Sequence, residues 1–338
     1  MKKLIALASV FCLLAFSVSA HSEFDVAPDG KTASLLGKYN RVLYFIDIEK
    51  SEVQKRIKLE VQSMGSSEAI VAYSQDGSKL WCSLYNELFC YETVGWTEVF
   101  HLEKAYNVVV SEDKTKIMYR YNTEDSFEVK DMSSLAEYSK IEVKESRKVS
   151  MMSISSIDNS VLLVYRSEKD DSEPSSISKD ELKALVGAKK ATAYQKNDGE
   201  KARIVKLNLS TGAILFDEYS WFSDNGRGGL FSNEGNYYML GYKGSFVFDT
   251  KNKLTVLELE SQVSMNYKKP FSDMVVIGFY NLKGFYNIPK EKFTELKYDR
   301  DLEENQAIYM KDRIYSFNNF EFNIFDAKGV KTSSMKVL

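Results

Sequence analysis

Seven recurrences of one short-strand unit predict an all-β fold, a seven-bladed β-propeller of four-stranded antiparallel blades with a short helical insertion in blade 4. Three observations carry that reading. A column of turn-proximal acidic or amide residues recurs along the chain at near-constant spacing. The 338 residues include 21 Tyr and 20 Phe, types that favour half-buried strand positions. One segment alone, residues 169–200, interrupts the pattern.

The chain opens on a different kind of segment. Lys2 and Lys3 precede an apolar stretch from Leu4 to Val18, and Val18-Ser19-Ala20 fits a small-residue cleavage pattern. Residues 1–20 therefore read as a secretory signal peptide cleaved after Ala20, which implies a periplasmic or secreted protein. The apolar run is shorter than the roughly 20 residues of a spanning helix, and no later segment approaches that length, so no membrane span is expected. Cleavage would leave residues 21–338 as the propeller and take the net charge from −3 to −5. A chain with this acidic balance carries no electrostatic footprint for nucleic acid. Its 4 Pro and 17 Gly exclude a collagen-like or Pro/Gly-rich disordered chain.

Each unit begins with a strand, a turn and a second strand. The turn reads APDGKTASL from Ala27, SQDGSKLWC from Ser74, SEDKTKIMY from Ser111 and SNEGNYYML from Ser232, with weaker forms at Ser156 and Phe271. Asp-Gly pairs suit such hairpins because they tolerate positive φ. The second hairpin supplies the column: Asp47, Glu92, Asp131, Asn208, Asp249, Asn287 and Asp326, spaced by 45, 39, 77, 41, 38 and 39 residues. The one long interval contains the insertion. Short strands with an alternating pattern, bounded by turn residues, are expected in all four places of each unit. A column residue at the same point of every blade is read as the cap of its hairpin turn.

In the second unit, KLWCSLYNELFCYE places two strand-like runs around a Tyr85-Asn86-Glu87 turn. Pairing centred on Asn86 sets Cys82 opposite Cys90. In an oxidising compartment that pair is expected to close as a local disulfide. Two free buried thiols are the alternative.

The Ser74–Trp81 turn and the D-x-x-[ST]-x-x-hydrophobic hairpins resemble the YVTN-type and WD-type propeller superfamily, over nearly all of the chain after the signal peptide. That resemblance implies the fold. It implies no function, because propellers host both scaffolds and enzymes.

The insertion lies between the second and third strands of unit four. Ser178 and Glu181 form a capping box, and Leu182, Leu185 and Val186 follow at helical spacing. Strand alternation brings this loop to the same end as the connection into unit five, Trp221 to Gly229. Leu182, Leu185, Val186, Trp221, Phe222, Asp224, Asn225 and Arg227 together form the candidate binding surface, since function concentrates in loops on rigid scaffolds. The alternative is a helix that only covers a blade edge.

Reactive chemistry is sparse in the sequence. No catalytic residue, metal ligand set or cofactor is assigned. Of the two histidines, His21 would begin the processed chain and His101 belongs to the outermost strand of unit two. Zinc needs Cys or His ligands at short spacing, and an acidic turn such as Asp224-Asn225-Gly226 lacks a calcium ligand ladder. There is no G-x-S-x-G elbow, Walker A loop or Rossmann fingerprint. The basic-aromatic pairs at Tyr267–Lys269 and Lys297-Tyr298 read as solvated strand faces. The expected function is a non-catalytic scaffold for a protein or peptide partner. The alternatives are a propeller enzyme, lactonase-like hydrolase or dehydrogenase subunit, using the central channel, or envelope-polymer or carbohydrate binding.

Overall fold

The turn residues that punctuate the sequence also end its strands. The computed structural model describes residues 22–62, 69–122, 124–144, 149–165, 202–220, 229–231, 237–240, 245–249, 254–259, 274–279, 282–287, 292–296, 307–318 and 320–337, with single positions at 180, 183, 184, 187 and 188. Sheet 1 holds β1 (Ser22–Val26), β2 (Thr32–Gly37), β3 (Val42–Asp47) and β4 (Glu52–Lys58). Sheet 2 holds β5 (Ile70–Tyr73), β6 (Lys79–Leu84), β7 (Glu87–Glu92) and β8 (Glu98–Glu103). Sheet 3 holds β9 (Ala105–Val110), β10 (Lys116–Tyr121), β11 (Ser126–Asp131) and β12 (Glu137–Glu142). Sheet 4 holds β13 (Val149–Ser155), β14 (Ser160–Tyr165), β15 (Ala202–Asn208) and β16 (Ile214–Ser220). Sheet 5 holds β17 (Gly229–Phe231), β18 (Tyr237–Leu240), β19 (Ser245–Asp249) and β20 (Leu254–Leu259). Sheet 6 holds β21 (Met274–Phe279), β22 (Leu282–Asn287) and β23 (Lys292–Leu296). Sheet 7 holds β24 (Ala307–Met310), β25 (Arg313–Asn318), β26 (Glu321–Asp326) and β27 (Lys331–Lys336).

Within each sheet the strands are hydrogen-bonded in chain order, six sheets having four strands and one having three among the described residues. The fold is all-β and consistent with a β-propeller. The first strand expected in unit six falls in 260–273, outside the described residues. The chain divides into two compact units. One comprises Met1–Tyr106, Asn281–Lys283 and Glu295–Leu338, the other Asn107–Tyr280 and Gly284–Thr294.

In the first unit two apolar layers flank sheet 1. Phe24, Val26, Ala33, Leu35, Tyr44 and Ile46 of sheet 1 pack against Tyr315, Phe317, Phe322, Ile324 and Met335 of sheet 7. Leu36, Leu43 and Phe45, on the other face, pack against Val71, Tyr73, Leu80, Cys82 and Phe89 of sheet 2. The first and last sheets of the chain thus share a core, yet each is built only from its own end of the sequence. In the second unit, sheets 3 and 4 meet through Met118, Phe127, Val129, Ile154, Val161, Leu163 and Val205.

Burial on both faces changes the expected pattern. Alternation appears on outermost strands, as in β4, whose even positions Glu52, Gln54, Arg56 and Lys58 are exposed. The middle strands are buried almost continuously, as are β2, β6 and all six residues of β14. In sheet 1 the middle strands are apolar on both sides because each side meets another sheet.

The column residue ends the third strand of each four-stranded sheet and ends β22 in sheet 6. Between two and one residues before it, the pairing register slips at Phe45/Ile46, Cys90/Tyr91, Val129/Lys130, Lys206/Leu207, Val247/Phe248 and Ile324/Phe325. Each slip is a β-bulge that adds a residue to the outermost strand and increases its twist. Four residues after the column the backbone enters the left-handed region at Ser51, Trp96, Leu135 and Gly212, with φ of 54°, 58°, 66° and 70°. Only the last is glycine.

The left-handed position costs an ordinary residue roughly 1 kcal/mol relative to glycine. Exposed Ser51→Gly is therefore expected to stabilise by up to about 1 kcal/mol, and Gly212→Ala to destabilise by about as much. Urea unfolding of the two variants checks the opposite signs.

Candidate functional site

The turns show what the repeated polar residues do. At the first hairpin of sheet 2, Ser74 Oγ donates to Asp76 Oδ1 at 2.7 Å and accepts from the Lys79 amide at 3.0 Å. The Ser78 amide also donates to Asp76 Oδ1, at 3.0 Å. Sheet 3 repeats the set with Ser111, Asp113, Thr115 and Lys116. At the second hairpin, the column side chains accept backbone amides: Lys50 to Asp47, Ser133 and Ser134 to Asp131, Ser210 and Thr211 to Asn208, Lys328 and Val330 to Asp326. The capping role read from the sequence holds at these four positions.

Asp131 has the fullest set of partners. Burial pushes its carboxyl up, but the Ser134 amide and hydroxyl and the Lys116 ammonium outweigh this and bring it down to about 2. The Lys116 Nζ lies 3.0 Å from Asp131 Oδ2. Glu112 acts between sheets in the second unit. Its Oε1 accepts from Ser155 Oγ at 2.8 Å, Ser156 Oγ at 3.3 Å and the Ile157 amide at 3.0 Å. In the first unit, Asp25 Oδ2 accepts the Tyr73 amide at 2.9 Å, while the Tyr73 hydroxyl bonds Ser34 Oγ at 2.6 Å. These carboxylates fasten turns and neighbouring sheets.

The most concentrated titratable group outside the turns of the first hairpins is at the opposite end of sheet 2. Glu87 is 3% exposed at the start of β7. Its Oε1 accepts the Gln62 amide at 2.6 Å, and its Oε2 lies 2.9 Å from His101 Nε2. The His101 ring stacks on Phe89 with centroids 4.3 Å apart, and Gln62 Nε2 donates to Glu103 Oε1 at 2.7 Å. His101 lies on the outermost strand, as expected, with its side chain 30% exposed. Glu87 was not legible as a site residue, because the sequence assigns it to the turn. Among the described residues no group of three or more His, Cys, Asp or Glu could hold a metal ion.

The cysteine pairing is corrected by the register. The hairpin turn contains only Tyr85 and Asn86, both with positive φ, so Leu84 pairs with Glu87. Cys82 therefore lies opposite Phe89, and Cys90 opposite Trp81. The two thiols project to opposite faces of sheet 2, and both are free and buried. A bulky residue in the left-handed region was the unforeseen step. Tyr85 is held there by its hydroxyl, which donates to the Lys38 carbonyl at 3.1 Å, and by the Arg41 guanidinium, 5.8 Å from its ring. Burial pushes the Cys82 thiol far up and the Cys90 thiol up to about 12, so neither is an activated nucleophile.

The surface proposed from the insertion, Leu182, Leu185, Val186, Trp221, Phe222, Asp224, Asn225 and Arg227, lies outside the described residues. So do the signal peptide and all of 169–200 except the five single positions. The flanking strands are described: β14, ending at Tyr165, pairs directly with β15, beginning at Ala202.

No family model matches the chain, and no curated protein matches it. Solved structures do. A functionally unknown protein from Desulfotomaculum acetoxidans DSM 771 is similar at a TM-score of 0.54 and 13% identity, over 90% of this chain and 95% of that one. KlAtg21, a propeller protein solved in complex with the coiled-coil of AgAtg16, is similar at a TM-score of 0.53 and 14% identity, over 94% of this chain and 99% of that one. Likeness at this identity shows the fold and leaves activity open.

Two outcomes test the roles assigned to these carboxylates. Glu87→Ala leaves the Gln62 amide and His101 without their acceptor and is expected to destabilise by about 2 kcal/mol in urea unfolding. The lowered Asp131 carboxyl contributes stability that is present above the ordinary value of 3.8 and is lost as pH falls towards about 2. Solvent screening limits that contribution to about 1 kcal/mol or less. Acid unfolding followed by circular dichroism should therefore be less steep between those pH values in Asp131→Asn.

Proposed function

We propose that this chain is an exported seven-bladed β-propeller of the YVTN/WD-like type, acting as a non-catalytic scaffold for a protein or peptide partner. The partner is engaged through the end of blade 4 that carries residues 169–200 and the Trp221–Gly229 connection. The observation that carries the scaffold reading is how the described reactive groups are occupied. The aspartates cap turns, Glu112 and Asp25 tie neighbouring strands, His101 is bonded to buried Glu87, and both thiols are sequestered. Seven sheets in sequence support the blade count.

The choice of surface follows from where the chain departs from its own repeat. The other second-to-third strand turns are short, such as Tyr85-Asn86. Residues 166–201 are the long exception, and a long loop on a regular scaffold is the usual carrier of recognition. That KlAtg21 was solved with a coiled-coil illustrates that this fold accommodates an extended partner. A signal peptide ending at Ala20 would put the contact outside the cytoplasm.

Deletion of residues 170–199 tests the reading. The trimmed protein is expected to melt within a few degrees of the intact one, because the excised segment leaves the β14–β15 pairing in place. Co-purification from the native envelope, read by mass spectrometry, should then show partners held by the intact chain and lost by the trimmed one. A trimmed protein that retains every partner would sink the assignment of this surface.

A further inference from the structure

We propose that Cys82 and Cys90 form a redox gate on folding: joined before the β6–β7 hairpin closes, they exclude native sheet 2, and buried apart within it they stay unjoined. The geometry requires the second half of this statement. Residues directly opposite in an antiparallel ladder share a face, and successive residues on a strand alternate faces. Cys82 shares a face with Phe89 and belongs to the core that also holds Leu80 and Tyr91. Cys90 shares the other face with Trp81 and with Phe100 of β8. Thiols whose Cβ bonds point apart cannot be bridged without moving the backbone.

The first half follows from the nearest alternative register. A three-residue Tyr85-Asn86-Glu87 turn brings the cysteines directly opposite each other and allows the bond. That register differs from the native one by a single residue, and such a slip turns the side chains of one strand to the wrong face. Glu87 would leave its bonds to Gln62 and His101 for the turn. Phe89 and Tyr91 would exchange faces with Leu88 and Cys90, in a strand buried on both sides. With only residues 83–89 between them, the thiols meet readily in an unfolded chain, where closing a short loop costs little. An oxidised chain is then held in the wrong register by a covalent bond.

The reaction balances with a thiol oxidant of the diazene class. Two S–H bonds break, one S–S bond forms, and two electrons and two protons pass to the diazene, which becomes a hydrazine. Once the sheet has formed, burial keeps both thiols protonated and withholds the thiolate that oxidation or exchange requires.

The test uses the full chain carrying Cys12→Ala, so that Cys82 and Cys90 are its remaining thiols. Unfolded protein is split, half kept reduced and half oxidised with diamide, the internal bond being verified by mass. Both halves are diluted into native buffer. The reduced half should recover its native circular dichroism and cooperative melt, and the oxidised half should lose them until a reductant is added. Either single variant, Cys82→Ala or Cys90→Ala, should refold equally well with and without diamide. As a measurement needing no further substitution, the folded reduced chain should resist iodoacetamide and react with it fully in urea. Equal refolding of the oxidised and reduced halves overturns the proposal. So does a Cys82–Cys90 bond in natively folded protein.

Discussion

Sheet 1 of this chain is apolar on both faces, and that constraint organises the structure around it. A sheet with one apolar face needs a single neighbour, whereas a sheet with two needs one on each side. Sheet 1 has both: Phe24, Leu35 and Ile46 turn towards sheet 7, and Leu36, Leu43 and Phe45 turn towards sheet 2. Burial of each such side chain contributes about 1.5–3 kcal/mol, most of which offsets backbone ordering. Contact between the first and last sheets, through Phe24 and Phe322 at 5.8 Å among others, needs no strand to cross from one chain end to the other.

Apolar faces leave polar residues only at strand ends and on outermost strands, and the repeat column belongs to that remainder. An Asp or Asn at the end of the third strand satisfies amides that a tight turn would otherwise leave without partners. The bulge that precedes it lets the outermost strand twist away from the strand beside it. Left-handed residues after the column carry strain, and Trp96 shows how it is offset: its ring packs 3.8 Å from that of Phe45 in the next sheet. Local strain persists where a tertiary contact exceeds it.

Legibility from sequence follows this division. The column and the Asp-Gly-like turns were readable because their chemistry is local: a residue accepts amides two or three positions away. The continuous burial of β2, β6 and β14 was obscured by the expectation of alternation, which applies to strands with one wet face. The β6–β7 register was misread because Tyr85 is a poor left-handed residue by itself. Its conformation depends on the Lys38 carbonyl, 47 residues earlier in the chain. Glu87 was hidden by the same error, since one residue of slip moves it from strand to turn. The insertion was visible as a break in the spacing, and apart from five single positions residues 169–200 lie outside the described residues.

A scaffold of this kind tolerates change unevenly. In a strand with one exposed face, a slip of one residue trades buried for solvated positions and can be partly accommodated by polar side chains. In β7, where five of six residues are buried, a slip has nowhere to put a misplaced phenylalanine or glutamate. Register is therefore most tightly specified in the middle strands, and tolerance to altered length or composition is left to the connections. The turns that cap themselves through Asp or Asn are also restricted, because their side chains are committed to particular amides. Connections beyond those turns escape both restrictions. Variation in length is thereby accommodated most readily in the connections between strands.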